Sequence, residues 1–78
     1  MFVDDLDSNK PLIHLKGQES ICILNYKKIL KYDFEEIIVL LSNQKLYIQG
    51  KCLNIDYFNE DELLIKGRVQ SIRFHNRA

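Results

Sequence analysis

The sequence predicts a small all-β domain of about eight short antiparallel strands, running as a meander and arranged in two layers or a stacked sheet. Three observations predict it. Apolar and polar residues alternate at period two in 45–49, in 53–57 and, after a slip at Ser71, in 69–75, the pattern of a half-buried strand. Turn-forming residues, Ser42-Asn43-Gln44 and Asn59-Glu60-Asp61, punctuate those stretches. Finally, all three glycines end one recurring pattern: Ile13-His14-Leu15-Lys16-Gly17, Leu46-Tyr47-Ile48-Gln49-Gly50 and Leu63-Leu64-Ile65-Lys66-Gly67. Each is followed by a further alternating pair (Ile21 and Ile23, Leu53 and Ile55, Ile72 and Phe74), so each unit reads as a strand, a bend or bulge at glycine, and another strand.

The elements follow in order. Residues 1–10 form an acidic, flexible lead-in, with Asp4, Asp5 and Asp7 before Pro11. Proline can open a strand because a first residue need not donate to the ladder. The β-rich domain is expected over 11–75, and 76–78 are a tail. Residues 26–41 pull two ways. Tyr26, Ile29, Leu30, Phe34, Ile37, Ile38 and Leu41 fall at helical spacing, and Lys31 and Glu35 are an i,i+4 pair. Against a helix stand Tyr32, Val39 and Leu40 on its polar side and the β-branched run Ile37-Ile38-Val39. Two strands, 28–32 and 35–41, with a turn at Asp33-Phe34 are preferred.

With 78 residues, 46% apolar, four Gly plus Pro, and eleven basic against eleven acidic side chains, the chain is one domain, neither disordered nor collagen-like. Its longest apolar run, Ile37 to Leu41, is five residues against the ~20 of a membrane span. The acidic start lacks the features of an export signal, so a reducing, cytoplasmic setting is expected, with Cys22 and Cys52 free thiols packed as small hydrophobes.

Several strands are apolar on both faces: Ile37, Val39 and Leu41 point one way, Ile38 and Leu40 the other. A single layer this small cannot hide both, so the chain must fold into two layers or be covered by a second copy. Ile37, Ile38, Val39, Leu40 and Leu41 are therefore the candidate contact face, and self-association is expected.

No constellation points to catalysis. The carboxylate pairs Asp4/Asp5, Glu35/Glu36 and Glu60/Asp61/Glu62 read as solvated turns, and the four serines lack a local base. A zinc site from Cys22, Cys52, His14 and His75 would need distant residues to converge by coincidence. No cofactor, metal or small-molecule substrate is expected. Lys66, Arg68, Arg73 and Arg77 form an acid-free C-terminal segment, which reads as a solvated face or could orient subunits or meet an anionic surface. A β-barrel binding RNA through Lys27, Lys28 and Lys31 beside Tyr26 and Tyr32 is the alternative, weakened by the zero net charge.

From Pro11 onward the sequence resembles the YabP/YqfC family of sporulation proteins, the YqfC branch more than the YabP branch. Four blocks carry the resemblance: Pro11 to Gly17, Ile21-Cys22-Ile23-Leu24-Asn25-Tyr26, Leu46 to Gly50, and Glu62 to Phe74. The resemblance implies a small β-rich protein of the mother cell that acts without enzymatic activity as an assembly factor for the spore envelope. It implies a membrane-protein companion of the YqfD type and a position at the forespore membrane through that partner. Gly17, Gly50 and Gly67 carry over as structural positions, and Asn25-Tyr26 as a motif without an assigned role. The short acidic lead-in departs from the longer basic start of YqfC-like members.

Overall fold

The β-branched and leucine-rich stretches all pair as strands. The computed structural model describes residues 11–42 and 44–76, and among them there are six strands and no helix. They are β1 (Leu12–Lys16), β2 (Ser20–Leu24), β3 (Lys28–Tyr32), β4 (Glu36–Leu40), β5 (Gln44–Phe58) and β6 (Glu62–Asn76). All neighbours are antiparallel, in the order β1-β2-β6-β5-β4-β3.

The expected eight strands become six because Gly50 and Gly67 lie inside strands rather than ending them. β5 and β6 are 15 residues each, and their ladder shifts register between Gln49 and Gly50 and again between Lys51 and Asn54. There the long hairpin bends, and each of its strands serves two layers. β1 and β2 add to residues 62–66 of β6, which pair with 54–58 of β5. β3 and β4 add to residues 45–49 of β5, which pair with 71–75 of β6. Each layer is thus four segments wide, which is where the eight alternating stretches of the sequence went. Residues 26–41 are two strands joined by a turn at Asp33 to Glu35, as the β-branched run argues, and not a helix.

The layers are related by a pseudo-two-fold. The pairs Ser20–Lys66, Ile21–Ile65 and Ile23–Leu63 of the first match Glu36–Gln49, Ile37–Ile48 and Val39–Leu46 of the second. The hairpin turns latch onto the bend in the same way: Gly67 and Val69 N–H donate to the Glu19 and Gln18 carbonyls, while Gly50 and Leu53 N–H donate to those of Glu35 and Phe34. The backbones approach so closely here that a Cβ at Gly67 would lie 2.5 Å from the Cys52 carbonyl oxygen, and one at Gly50 would collide with that of Arg68. Gly17 sits in the β1–β2 turn with φ 60°, a left-handed geometry that costs other residues about 1–2 kcal/mol.

The core lies between the layers. Ile21, Ile23, Leu53, Leu63 and Ile65 come from one side, and Ile37, Val39, Leu41, Leu46 and Ile48 from the other, all essentially inaccessible to solvent. Burying each such side chain contributes about 1.5–3 kcal/mol. No described residue buries a polar or charged side chain as a whole. β6 runs through Asn76, which pairs with Gln44, so the strand takes in the first residue assigned to the tail; the lead-in (1–10) and residues 77–78 lie outside the described residues.

Candidate interaction surface

The five residues of the expected contact face part company. Ile37, Val39 and Leu41 are in the chain's own core, covered by the opposite layer. They are therefore not available to a partner, because the chain supplies its own second layer. Ile38 and Leu40 lie half-buried on the outside of the second layer, where Ile38 pairs with Tyr47 and Leu40 with Lys45.

What remains exposed is at the edges. The exposed large apolar side chains are Leu12 and Leu15 on β1, Leu30 and Tyr32 on β3, Tyr57 and Phe58 on β5, Phe74 on β6, and Phe34 at a turn. The inward rows account for Leu15, Tyr32, Phe58 and Phe74. Leu15, Ile21, Ile65 and Ile55 face one another across the first layer, as do Ile13, Ile23, Leu63 and Phe58. In the second layer the rows are Ile29, Val39, Leu46 and Phe74, and Tyr32, Ile37, Ile48 and Ile72. Each row is apolar from edge to edge; of its ends Leu15, Phe58, Tyr32 and Phe74 are exposed, while Ile13, Ile29, Ile55 and Ile72 pack against the core.

All four edges carry charge or irregularity of the kind that hinders strand addition, to different extents. β3 has a register shift between Ile29 and Lys31 and carries Lys28 and Lys31. The outer half of β5 is shifted between Ile55 and Tyr57, and the Ile55 N–H donates to the Tyr32 hydroxyl at 3.3 Å. The outer half of β6 carries Arg73 and His75. β1 pairs with β2 in unbroken register over all five residues, and Leu12 and Leu15 are 52% and 54% exposed. It carries His14 and Lys16, but it alone among the edges joins an unbroken register to two exposed large apolar side chains. Sequence reasoning passed over it, although one signal was there: Leu12 and Leu15 are an odd number of positions apart in one strand, so they take opposite faces and one of them lies outside.

The Asn25-Tyr26 motif acquires a structural role. Asn25 has φ 62°, a conformation asparagine tolerates, and its N–H donates to the Asp61 carbonyl. The Tyr26 hydroxyl donates to the Asn59 carbonyl at 2.6 Å. Together they tie the β2–β3 connection to the β5–β6 turn, where the Asn59 side chain accepts from the Asp61 and Glu62 N–H groups. The tyrosines of the RNA alternative are engaged within the chain: Tyr26 as above, Tyr32 at Ile55. Lys31 is paired with Glu36 at 2.8 Å, and this contact holds the lysine's pKa above its ordinary value.

On the outer face of the first layer, His14, Cys22, Leu64 and Tyr57 form one row. Cys22 is half-buried and donates to Glu62 at 3.4 Å; burial first, then Glu62, pushes its thiol pKa up, away from the reactive thiolate. Glu62 also raises the Tyr57 hydroxyl through a hydrogen bond. Cys52 is exposed rather than packed, because it occupies the bend with φ 54°. His75 stacks edge-on against Tyr47, far along the chain from His14. Among the described residues no group of three or more His, Cys, Asp or Glu is placed to hold a metal ion, and no helix is long and apolar enough to cross a membrane.

Fold and surface define a class: a small two-layer antiparallel β protein with a self-contained core and apolar sheet edges. No curated protein and no solved structure matches the chain. The chain belongs to the YabP family, whose model matches residues 7–78. That membership points to a sporulation-related protein.

Proposed function

We propose that this chain is a non-catalytic assembly factor of endospore formation, working through protein–protein contacts at its sheet edges, with β1 as the leading contact. The observation that supports this reading is the concentration of exposed large apolar side chains on edge strands, one of them in regular register with two exposed leucines. A second copy related by a two-fold at His14 would set Ile13 of one chain opposite Leu15 of the other. The inward rows would then run on across the junction, and an isologous contact of this kind closes on itself. Each apolar cross-strand pair contributes about 0.2–1 kcal/mol, in addition to the burial of Leu15. The family's tie to sporulation supports a role in the mother cell, at the forespore membrane, with a membrane protein of the YqfD type as the companion.

Light scattering over a concentration series tests the contact. The parent chain is expected to self-associate, and Leu15→Lys to weaken that association about 10–100-fold, the equivalent of losing one buried leucine. Circular dichroism of the variant should be unchanged, since Leu15 is half exposed. A parent chain that stays monomeric at high concentration, or a Leu15→Lys variant that associates as well as the parent, rejects the reading.

A further inference from the structure

We propose that the bend of the long hairpin carries an anion site on the β1–β2 side that takes a phosphate-bearing ligand. A cleft of about 930 Å³ opens there, and Lys16, Lys51, Lys66 and Arg68 line it against one carboxylate, Glu19. A chain with zero net charge has no general excess to spread, so four cations in one cleft are a segregation.

Folding does not require them. Lys51 and Arg68 stand directly opposite each other on β5 and β6, an arrangement of like charges that destabilises a sheet. Lys16 and Lys66 flank Ser20 in one row of the first layer, two strands and so about 10 Å apart. The pseudo-two-fold supplies the control. Where the first layer has the Ser20–Lys66 pair, the second has Glu36–Gln49, on the same ladder geometry. The ladder therefore forms without a cation at the place Lys66 occupies, while Lys51 and Arg68 are each other's counterparts at the bend.

The charges are neutralised only in part. Lys51 reaches Glu35 at 3.2 Å and Lys66 reaches Asp56 at 4.0 Å, while Lys16 and Arg68 make no ion pair among the described residues. Three lysines on flexible stems and a guanidinium able to fork two oxygens suit a ligand with more than one phosphate oxygen to offer. A free oligophosphate and a phospholipid headgroup share that chemistry.

Tripolyphosphate and vesicles are the two probes. Tripolyphosphate is titrated calorimetrically into the full chain at low salt, and the rate at which iodoacetamide alkylates Cys52, which is exposed and lines the cleft, is followed in parallel. Vesicles with and without an anionic phospholipid form the second arm. Binding, slower Cys52 alkylation and at least a tenfold loss of affinity in Lys16→Glu/Lys66→Glu are expected, with screening by added salt. Lys28→Glu, on β3 and outside the cleft, should bind as the parent does. Binding of tripolyphosphate assigns the site to free phosphate groups, and binding of anionic vesicles alone assigns it to a headgroup. Absence of both, or binding undiminished in the double variant, overturns the proposal. Because it concerns charge at the bend, it stands whether or not β1 pairs with a second copy.

Discussion

A left-handed backbone at a residue other than glycine is a cost that the surroundings must hold in place, and Asn25 is such a residue, with φ 62°. Its N–H is committed to the Asp61 carbonyl, and the neighbouring Tyr26 hydroxyl reaches Asn59, 33 residues downstream. Asn25→Ala is expected to destabilise the chain by about 1–2 kcal/mol, because alanine lacks asparagine's tolerance of this conformation. Asn25→Gly, free of that backbone penalty, should lose less than Asn25→Ala. Urea unfolding midpoints of the two variants check this, and equal losses would show that the asparagine side chain matters rather than its backbone geometry. The motif was legible in the sequence as a pattern, but its purpose was not, since both carbonyls it meets lie in the turn between β5 and β6, far along the chain.

The hairpin of β3 and β4 shows what an element owes to its turn. The Asp33 carboxylate accepts from the N–H groups of Glu35 and Glu36, each at 2.8 Å, and those two bonds hold its pKa below the ordinary value. Glu36 is lowered as well, chiefly by its hydrogen bond from Lys31 and secondarily by Gln49. A carboxylate whose pKa is depressed by folding contributes stability that is present above its unfolded pKa and is lost as pH falls through the folded value. Asp33→Ala should therefore be less stable than the parent at neutral pH, and the gap should narrow as pH drops below the ordinary carboxylate range. Denaturant unfolding at several pH values measures the gap; one that stays constant into acid would mean the carboxylate charge is immaterial to the turn. This hairpin was readable in advance from Ile37-Ile38-Val39 and the turn former Asp33, because local propensity and local hydrogen bonding agree. The continuity of β5 and β6 was not. Whether a glycine ends a strand or bends it is decided by the partner backbone pressed against it, as Cys52 is against Gly67.

At the scale of the molecule, the two-sided apolar pattern correctly required a second layer, but period two cannot say whether a segment's cover comes from its own chain or from another. Here the chain doubles over, Ile37, Val39 and Leu41 go inside, and the apolar surface left over is pushed to the edges. The same doubling ties the layers' fates together. β5 and β6 each pass through both, and the ten core residues form one cluster, so opening one layer strips cover from the core of the other. Ile65→Ala, in the first layer, is expected to cost about 2–5 kcal/mol. That is a large share of the roughly 4–12 kcal/mol available to a chain of this length. If the layers form one cooperative unit, hydrogen exchange of the β4–β5 ladder in the second layer should accelerate as much as that of the β2–β6 ladder beside the substitution. Retained protection in β4 and β5 alongside lost protection in β2 would show instead that the bend uncouples the two layers, and that each half of the long hairpin carries its own stability.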